Sequence, residues 1–354
     1  MIAKKILIPR YTKIRDTYTI NSFIGKGAFG GVYKARHKYL GIQALKIFHP
    51  GTIPKEQEGE LFNEAYVLSK LTHENIVRVY EANTFDFNGN RYCYIAMEFI
   101  KGGTLANYLE QVVRLPIDLA IEIQKDICCG LMQLHKSEPP LVHRDVKPQN
   151  VMIDQKDNEI IAKVSDFGLA KHVDPITRIT EAAGTLAYLP PEGFWDYETP
   201  ASDVFSAGII FYIMLTGISP FKMLTGCDST KKSEIQAAII ASRNKKPEPP
   251  SKYNLDLDDE IDAIILKALE SDIKKRYKDA EEFYDVINEY QLQKFKLPDE
   301  NIKKALEMGR QYTSLTEAMK LLENAIIQYP KEKQRQLKEK YKGTLDNWRK
   351  GVIM

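Results

Sequence analysis

The sequence predicts an α+β protein of two lobes: a small antiparallel β-sheet lobe with one main helix, then a large, mainly helical lobe, with a helical extension at the end. Three observations carry that reading. Short β-type runs punctuated by glycine fill residues 18–48, helical periodicity dominates from residue 105 onward, and the breaker cluster Lys101-Gly102-Gly103 stands between the two regimes. The 354 residues, 44% of them hydrophobic, suffice for a two-lobed domain with a full core plus an appendage.

In order along the chain, the runs 19–24, 31–35 and 43–48 read as strands and 60–71 as the helix of the small lobe. Residues 92–99 form one more apolar strand, which leads into a hinge at 98–103. Beyond it, apolar residues spaced by three and four mark helices at 105–110, 117–136, 202–215, 233–241, 260–270 and 280–293. The β-type run 151–153 lies between a loop holding Asp145 and a loop holding Asp166, and loops on a packed scaffold are where catalytic groups usually sit. The proline-rich stretch 246–250 is a connector inside the large lobe. The expected division is an N-terminal segment at 1–10, a domain at 11–292 with lobes at 11–99 and 104–292, and a helical extension at 293–354.

Composition narrows the setting. Cys93, Cys128, Cys129 and Cys227 show no Cys-x-x-Cys spacing, so a reducing, cytoplasmic compartment is expected and no zinc site. The apolar run 6–8 ends at Pro9, too short for a signal-peptide core, and the longest apolar run, 204–215, is too short to cross a bilayer. The net charge of +2 hides an asymmetry: residues 291–354 hold 14 basic and 8 acidic side chains, a balance of +6, against 36 and 40, or −4, before them. A basic tail suits an acidic protein partner, and solvated helix faces give the same count. No nucleic-acid partner is expected.

Three motifs carry chemistry. Gly25-x-Gly27-x-x-Gly30-x-Val32 lies between two strand-like runs, where glycines let backbone amides approach a phosphate without a Cβ in the way. A glycine-rich hairpin turn alone would look the same. A dinucleotide-binding fold would instead place a helix after the glycines and an acidic residue about twenty positions later. Lys46, in Ala44-Leu45-Lys46, sits on an apolar strand where an inward ammonium needs an anion. The third motif is His143-Arg144-Asp145-Val146-Lys147-Pro148-Gln149-Asn150, followed by Asp166-Phe167-Gly168. Phosphoryl transfer needs a carboxylate to receive the acceptor's proton, a cation near the moving phosphate and oxygen ligands for Mg²⁺.

In order and spacing these motifs resemble those of the Hanks-type, eukaryotic-like serine/threonine protein kinases, and the insert-poor layout looks bacterial. The resemblance covers about 11–292 and implies a two-lobed protein kinase fold that transfers the γ-phosphoryl group of Mg-ATP, with Mn²⁺ as a substitute ion, to Ser or Thr hydroxyls of protein substrates. It implies that Asp145 deprotonates the acceptor, that Lys147 neutralises the migrating group, and that Asn150 and Asp166 hold the metal. Lys46 would bind the α- and β-phosphates and pair with Glu64 on the small-lobe helix. Ile24, Gly25, Lys26, Gly27, Ala28, Phe29, Gly30 and Val32 would cover the nucleotide. Ala44, Met97 as gatekeeper, the backbone from Glu98 to Ile100, and Met152 as floor would enclose the adenine.

The same resemblance reads 166–192, ending in Gly184-Thr185-x-Ala187-Tyr188-x-Pro190-Pro191-Glu192, as an activation segment with Pro190 where Ala is usual. Lys147 and Thr185 point to Ser/Thr specificity. Glu192 would pair with Arg276, and Asp203 would hold the catalytic loop's backbone. Arg144 would bind a phosphate on Thr177 or Thr180, placed there by autophosphorylation, for which a homodimer would serve in trans. Two rivals are a pseudokinase-like binding scaffold, which would normally lack Lys46, Asp145, Asn150 or Asp166, and a small-molecule phosphotransferase, which lacks the long segment with Thr185 and Pro-Pro-Glu.

In the tail, Gly309-x-x-Tyr312, Ala318, Ala325 and Pro330 weakly resemble a tetratricopeptide hairpin, with a turn about three residues short for that family. A plain amphipathic helical pair fits the same residues. A lone unit cannot bury its own apolar face, so the tail is expected to dock on the domain or to be the stub of a longer array, with the charged run 331–342 as a solvated helix.

Overall fold

Alternation along one strand, Gly41–Phe48, sets the layering of the small lobe. In the computed structural model, which describes residues 8–27, 30–138, 140–156, 159–167, 187–194, 197–221, 232–310, 315–329 and 331–352, Ala44 and Phe48 of that strand point into one core and Leu45 and Ile47 into another. With β1 (Lys13–Ile14), β2 (Tyr18–Gly27), β3 (Gly30–His37), β4 (Gly41–Phe48), β5 (Val79–Phe87) and β6 (Asn90–Glu98), it forms an antiparallel sheet ordered β1-β2-β3-β4-β6-β5. The inner face packs on helix α1 (Glu58–Lys70) through Leu61, Ala65 and Leu68. Tyr18, Tyr33, Tyr94, Leu45 and Ile47 fill the outer face, which Ile8 and Ile14 cover, and the Ile8 N–H donates to the Tyr33 hydroxyl at 3.2 Å. Ile8, placed by sequence in a separate leading segment, is therefore part of the small-lobe core.

The large lobe is built from α2 (Leu105–Leu109), α3 (Ile117–His135), the hairpin β7 (Val151–Lys156) and β8 (Glu159–Val164), α4 (Pro200–Thr216), α5 (Lys232–Arg243), α6 (Asp259–Ala268) and α7 (Ala280–Gln291). α4 is buried along nearly its whole length, because α3, α6 and α7 surround it. It stops at Gly217, whose φ of 76° favours glycine and where a Cβ would strike the Val113 carbonyl.

β5 and β8 go unseen in the sequence reading. Val79–Phe87 alternates too many polar residues for an apolar run because it is an edge strand, and Glu159–Val164 is a short strand in a two-stranded sheet with β7.

From α7 the chain continues through a π-helical turn, Leu292–Lys296, into α8 (Leu297–Arg310), so the helical run passes residue 292 without a break. α9 (Leu315–Ile327) packs on α8 and on α10 (Lys331–Arg349). Gly309 lies so close to the Trp348 ring that no Cβ would fit. The charged run is a helix whose described side chains, 334–342, are exposed or half-buried, as expected of a solvated face, and α10 goes on past it to bury Leu345 and Trp348. Ala318 and Ala325 are buried, whereas Tyr312 and Pro330 lie outside the described residues.

Candidate active site

The β7–β8 hairpin brings two halves of a site together. Its antiparallel register pairs Val151 with Val164, so Asn150, just before β7, lies beside Ser165, just after β8, and the Ser165 N–H donates to the Asn150 carbonyl at 2.8 Å. Loop 143–150 and Asp166 therefore share one end of the hairpin. On that loop Lys147 Nζ lies 2.9 and 2.8 Å from the two carboxylate oxygens of Asp145. Asn150 Nδ2 donates to the Asp145 backbone carbonyl at 2.8 Å and to its Oδ2 at 2.9 Å, which leaves the Asn150 amide oxygen as the atom able to accept or ligate.

The loop is held from below by Asp203 in the first turn of α4. Asp203 accepts the His143 N–H at 2.8 Å and the Arg144 N–H at 2.9 Å, and its Oδ2 lies 3.0 Å from His135 Nε2. Arg144 has φ 68°, a conformation non-glycine residues avoid, and these bonds over-determine it. Burial would raise the Asp203 carboxyl, but hydrogen bonding from His135 and the neighbouring imidazoles hold it below the usual carboxylate range. His143 Nε2 lies 2.9 Å from the Ser165 carbonyl, and its ring packs against Phe167.

On the roof of the cleft, cross-strand partners share a face. Val32 pairs with Lys46, Lys46 with Ile95, and Ala44 with Met97, so Val32, Ala44, Lys46 and Met97 all look down into it. Met152, half-buried on β7, bridges to Thr104 below. Gly25 pairs with Val32 and Gly27 with Gly30, with Ile24 exposed, while Ala28 and Phe29 lie outside the described residues. Ile100 is buried in the hinge. The Glu98 carboxylate receives Lys163 Nζ at 3.1 and 3.3 Å and the Arg78 N–H at 3.3 Å, which ties the end of β6 to β8 across the lobes.

Lys46 departs from the pairing expected for it. Its ammonium, on a residue only 8% exposed, forms its ion pair with Asp166 Oδ2 at 2.9 Å and not with Glu64. Asp166 has φ 63° and presents its carboxylate to Lys46, and a small cavity lies between Asp166 and Phe167 on one side and Ala65 and Leu68 of α1 on the other. Glu64 stays half-buried on α1, engaged elsewhere. Burial pushes the Asp166 carboxyl up, yet the charge and hydrogen bond of Lys46, then Lys147 and His143, outweigh it and keep the group ionised.

Glu192 accepts two bonds from Arg276, at 2.6 and 2.9 Å, and the guanidinium also donates to the carbonyls of Glu270, Ala201 and Ser271 while lying over the Phe205 ring. Arg144 Nε is 3.5 Å from Glu198 Oε2, a carboxylate buried just before α4. Thr177, Thr180 and Thr185 lie outside the described residues. Sequence reasoning overlooked Lys163, Glu198, His135, Ser206 and Arg243. The last two grip the backbone at 187–189 from helices far along the chain, and no local signal announces that.

A buried lysine on the roof of an interlobe cleft, facing a carboxylate, a lysine and an asparagine on its floor, defines a two-lobed phosphotransferase class of protein. Within it, the chain belongs to the protein kinase family: residues 18–288 match the protein kinase domain. It is 31% identical over 283 residues to the serine/threonine-protein kinase PknA of Corynebacterium glutamicum, covering 78% of this chain and 57% of that protein. It is likewise 31% identical over 279 residues to the serine/threonine-protein kinase PknB of Mycobacterium leprae, covering 76% and 42%. The crystal structure of the PknI kinase domain of Mycobacterium tuberculosis superposes with a TM-score of 0.60 at 22% identity, over 80% of this chain and 99% of that one. The chain thus spans between 37% and 57% of the length of the curated relatives compared. No helix among the described residues is long and apolar enough to cross a membrane.

Proposed function

We propose that this chain is an ATP-dependent serine/threonine protein kinase. The observation that carries the reading is the Asp145 carboxylate, which accepts from both Lys147 and Asn150 within 2.9 Å, at the same hairpin end as the Lys46–Asp166 pair. Asp145 would orient an acceptor hydroxyl and take its proton, and Lys147 Nζ, already at that carboxylate, would face the transferring group. Lys46 would exchange Asp166 for nucleotide phosphates, which frees the Asp166 carboxylate for a cation. Asp166 and the Asn150 amide oxygen are hard donors suited to Mg²⁺ or Mn²⁺. Among the described residues no three His, Cys, Asp or Glu cluster into a metal cage, so such an ion would complete its shell with phosphate oxygens and water. Bound there, it would neutralise charge on the β- and γ-phosphates.

Val32, Ala44, Met97 and Met152 would enclose the adenine, with the backbone of Glu98 to Ile100 beside it. The free cysteines Cys93, Cys128 and Cys129 favour a reducing, cytoplasmic setting. The basic tail is the part we assign to a protein partner.

Wild type and Asp145→Asn, each given labelled Mg-ATP and a generic basic protein, test the reading. Incorporation should fall at least about 100-fold in the variant. Equal incorporation by both, or none by either, refutes it.

A further inference from the structure

Three consecutive backbone carbonyls ahead of Glu192 are each received by a side chain from a distant helix. Arg243, the last residue of α5, donates from Nη2 to the Ala187 carbonyl at 2.7 Å and from Nε to the Leu189 carbonyl at 3.2 Å. Between them, the Tyr188 carbonyl accepts the hydroxyl of Ser206 on α4 at 2.8 Å. The next carbonyl, of Pro190, accepts the Gly193 N–H at 3.1 Å. With Ala187 and Leu189 held by Arg243 and Tyr188 between them by Ser206, three carbonyls in a row are fixed from two helices and the segment has little freedom to drift.

Arg243 is placed to do this. Its guanidinium lies 4.2 Å over the Phe221 ring, the residue is only 5% exposed, and the C-terminal end of a helix favours a cation. Burial draws the guanidinium down to about 10, the direction expected for a cation enclosed in protein. A buried arginine at such a position is costly in desolvation, and a fork of fixed donors is what distinguishes it from lysine or an apolar residue of similar length. The fork is used on two carbonyls with one residue between them.

We infer that Arg243 is a positioning residue for the acceptor, acting through the backbone of Ala187–Leu189 and leaving the nucleotide half of the reaction alone. The inference rests on the proposed protein kinase activity, because that segment follows Thr185 and leads into Glu192, the stretch where an acceptor polypeptide would lie. Its reach is toward the acceptor side: the contacts of Arg243 run to Ala187, Leu189 and Phe221, whereas Lys46 and the glycine turn belong to the other lobe and Asp166 pairs with Lys46 across the cleft.

The experiment compares wild type, Arg243→Lys and Arg243→Met using Mg-ATP with a generic basic protein as acceptor, and in parallel measures ATP hydrolysis with water as the acceptor. Arg243→Met should raise KM for the protein acceptor about tenfold or more, with KM for ATP and the hydrolysis rate changed by less than about twofold. Arg243→Lys, which keeps charge and loses the fork, should show the same split in smaller degree and stands in if the Met variant does not fold. An unchanged acceptor KM, or acceptor phosphorylation and ATP hydrolysis falling together, overturns the inference while leaving the kinase reading intact. A wild type that hydrolyses ATP yet phosphorylates no protein overturns both.

Discussion

Asp203 Oδ1 accepts the backbone N–H of Arg144 at 2.9 Å, at a residue held with φ 68°. A buried carboxylate in one helix therefore maintains an unfavourable conformation immediately before Asp145. Asp203→Ala removes both backbone anchors and leaves His135 without its carboxylate. It should cost about 3–5 kcal/mol of stability, measured by denaturant unfolding. Phosphoryl transfer should fall even at temperatures where the variant is folded. A variant that unfolds like wild type would show that the loop keeps its shape unaided.

The Glu192–Arg276 pair sets a pH dependence. Burial raises the Glu192 carboxyl, but Arg276 and Ser202 overcome this and hold it below its ordinary 4.5. A carboxyl depressed in the folded state contributes stability above its unfolded value, and that stability is lost as pH falls from about 4.5 through the folded value. Glu192→Gln should be less stable by about 3 kcal/mol at pH 7 and should lose less than wild type on acidification below about 4.5. Parallel stability curves for the two proteins across that window would contradict the assignment.

Lys46 and Asp166 should couple energetically, and Lys46 and Glu64 should not. In a double-mutant cycle with Lys46→Met and Asp166→Asn, an interaction energy of about 1 kcal/mol or more is expected, since each single variant strands a buried charge. The cycle with Glu64→Gln should give a value within about 0.5 kcal/mol of zero. The reverse order would place the lysine on α1.

Arg144 has a carboxylate partner, Glu198, at 3.5 Å, so a phosphate on Thr177 or Thr180 would have to compete for it. Phosphosite mapping of active protein should find at least one of these threonines modified, and replacing both by alanine should lower activity about tenfold. Active protein with both threonines unmodified sinks the idea.

The tail offers a mechanical test. Gly309 has no room for a Cβ against Trp348, so Gly309→Val should push the indole out of its buried site. A red-shifted tryptophan emission is expected, with destabilisation of about 1–3 kcal/mol. Unchanged emission would mean the α8–α10 contact is loose.

Elements with strong apolar periodicity were legible within a few residues of their ends, α3 and α4 being examples. β5 and β8 were not, because an edge strand carries many polar residues and the buried alternation of β8, Ala162 and Val164, is too short to print a pattern. Within the site, residues close in sequence could be read as a set, whereas contacts made by single residues from remote helices could not. Arg243 and Ser206 are ordinary members of their helices until the fold delivers the 187–189 backbone to them. The Lys46 partner is a related case: which of two nearby acids takes a buried ammonium depends on where the fold brings Asp166, at the far end of the β7–β8 hairpin.

The helix leaving the large lobe runs from Ala280 to Arg310 with only a π-turn inside it. A flexible linker would let the extension and the cleft wander independently, but a helix of that length transmits direction. A partner that gripped α8–α10 would therefore also set the compass heading of the cleft, as a hand on a handle would and a leash would not.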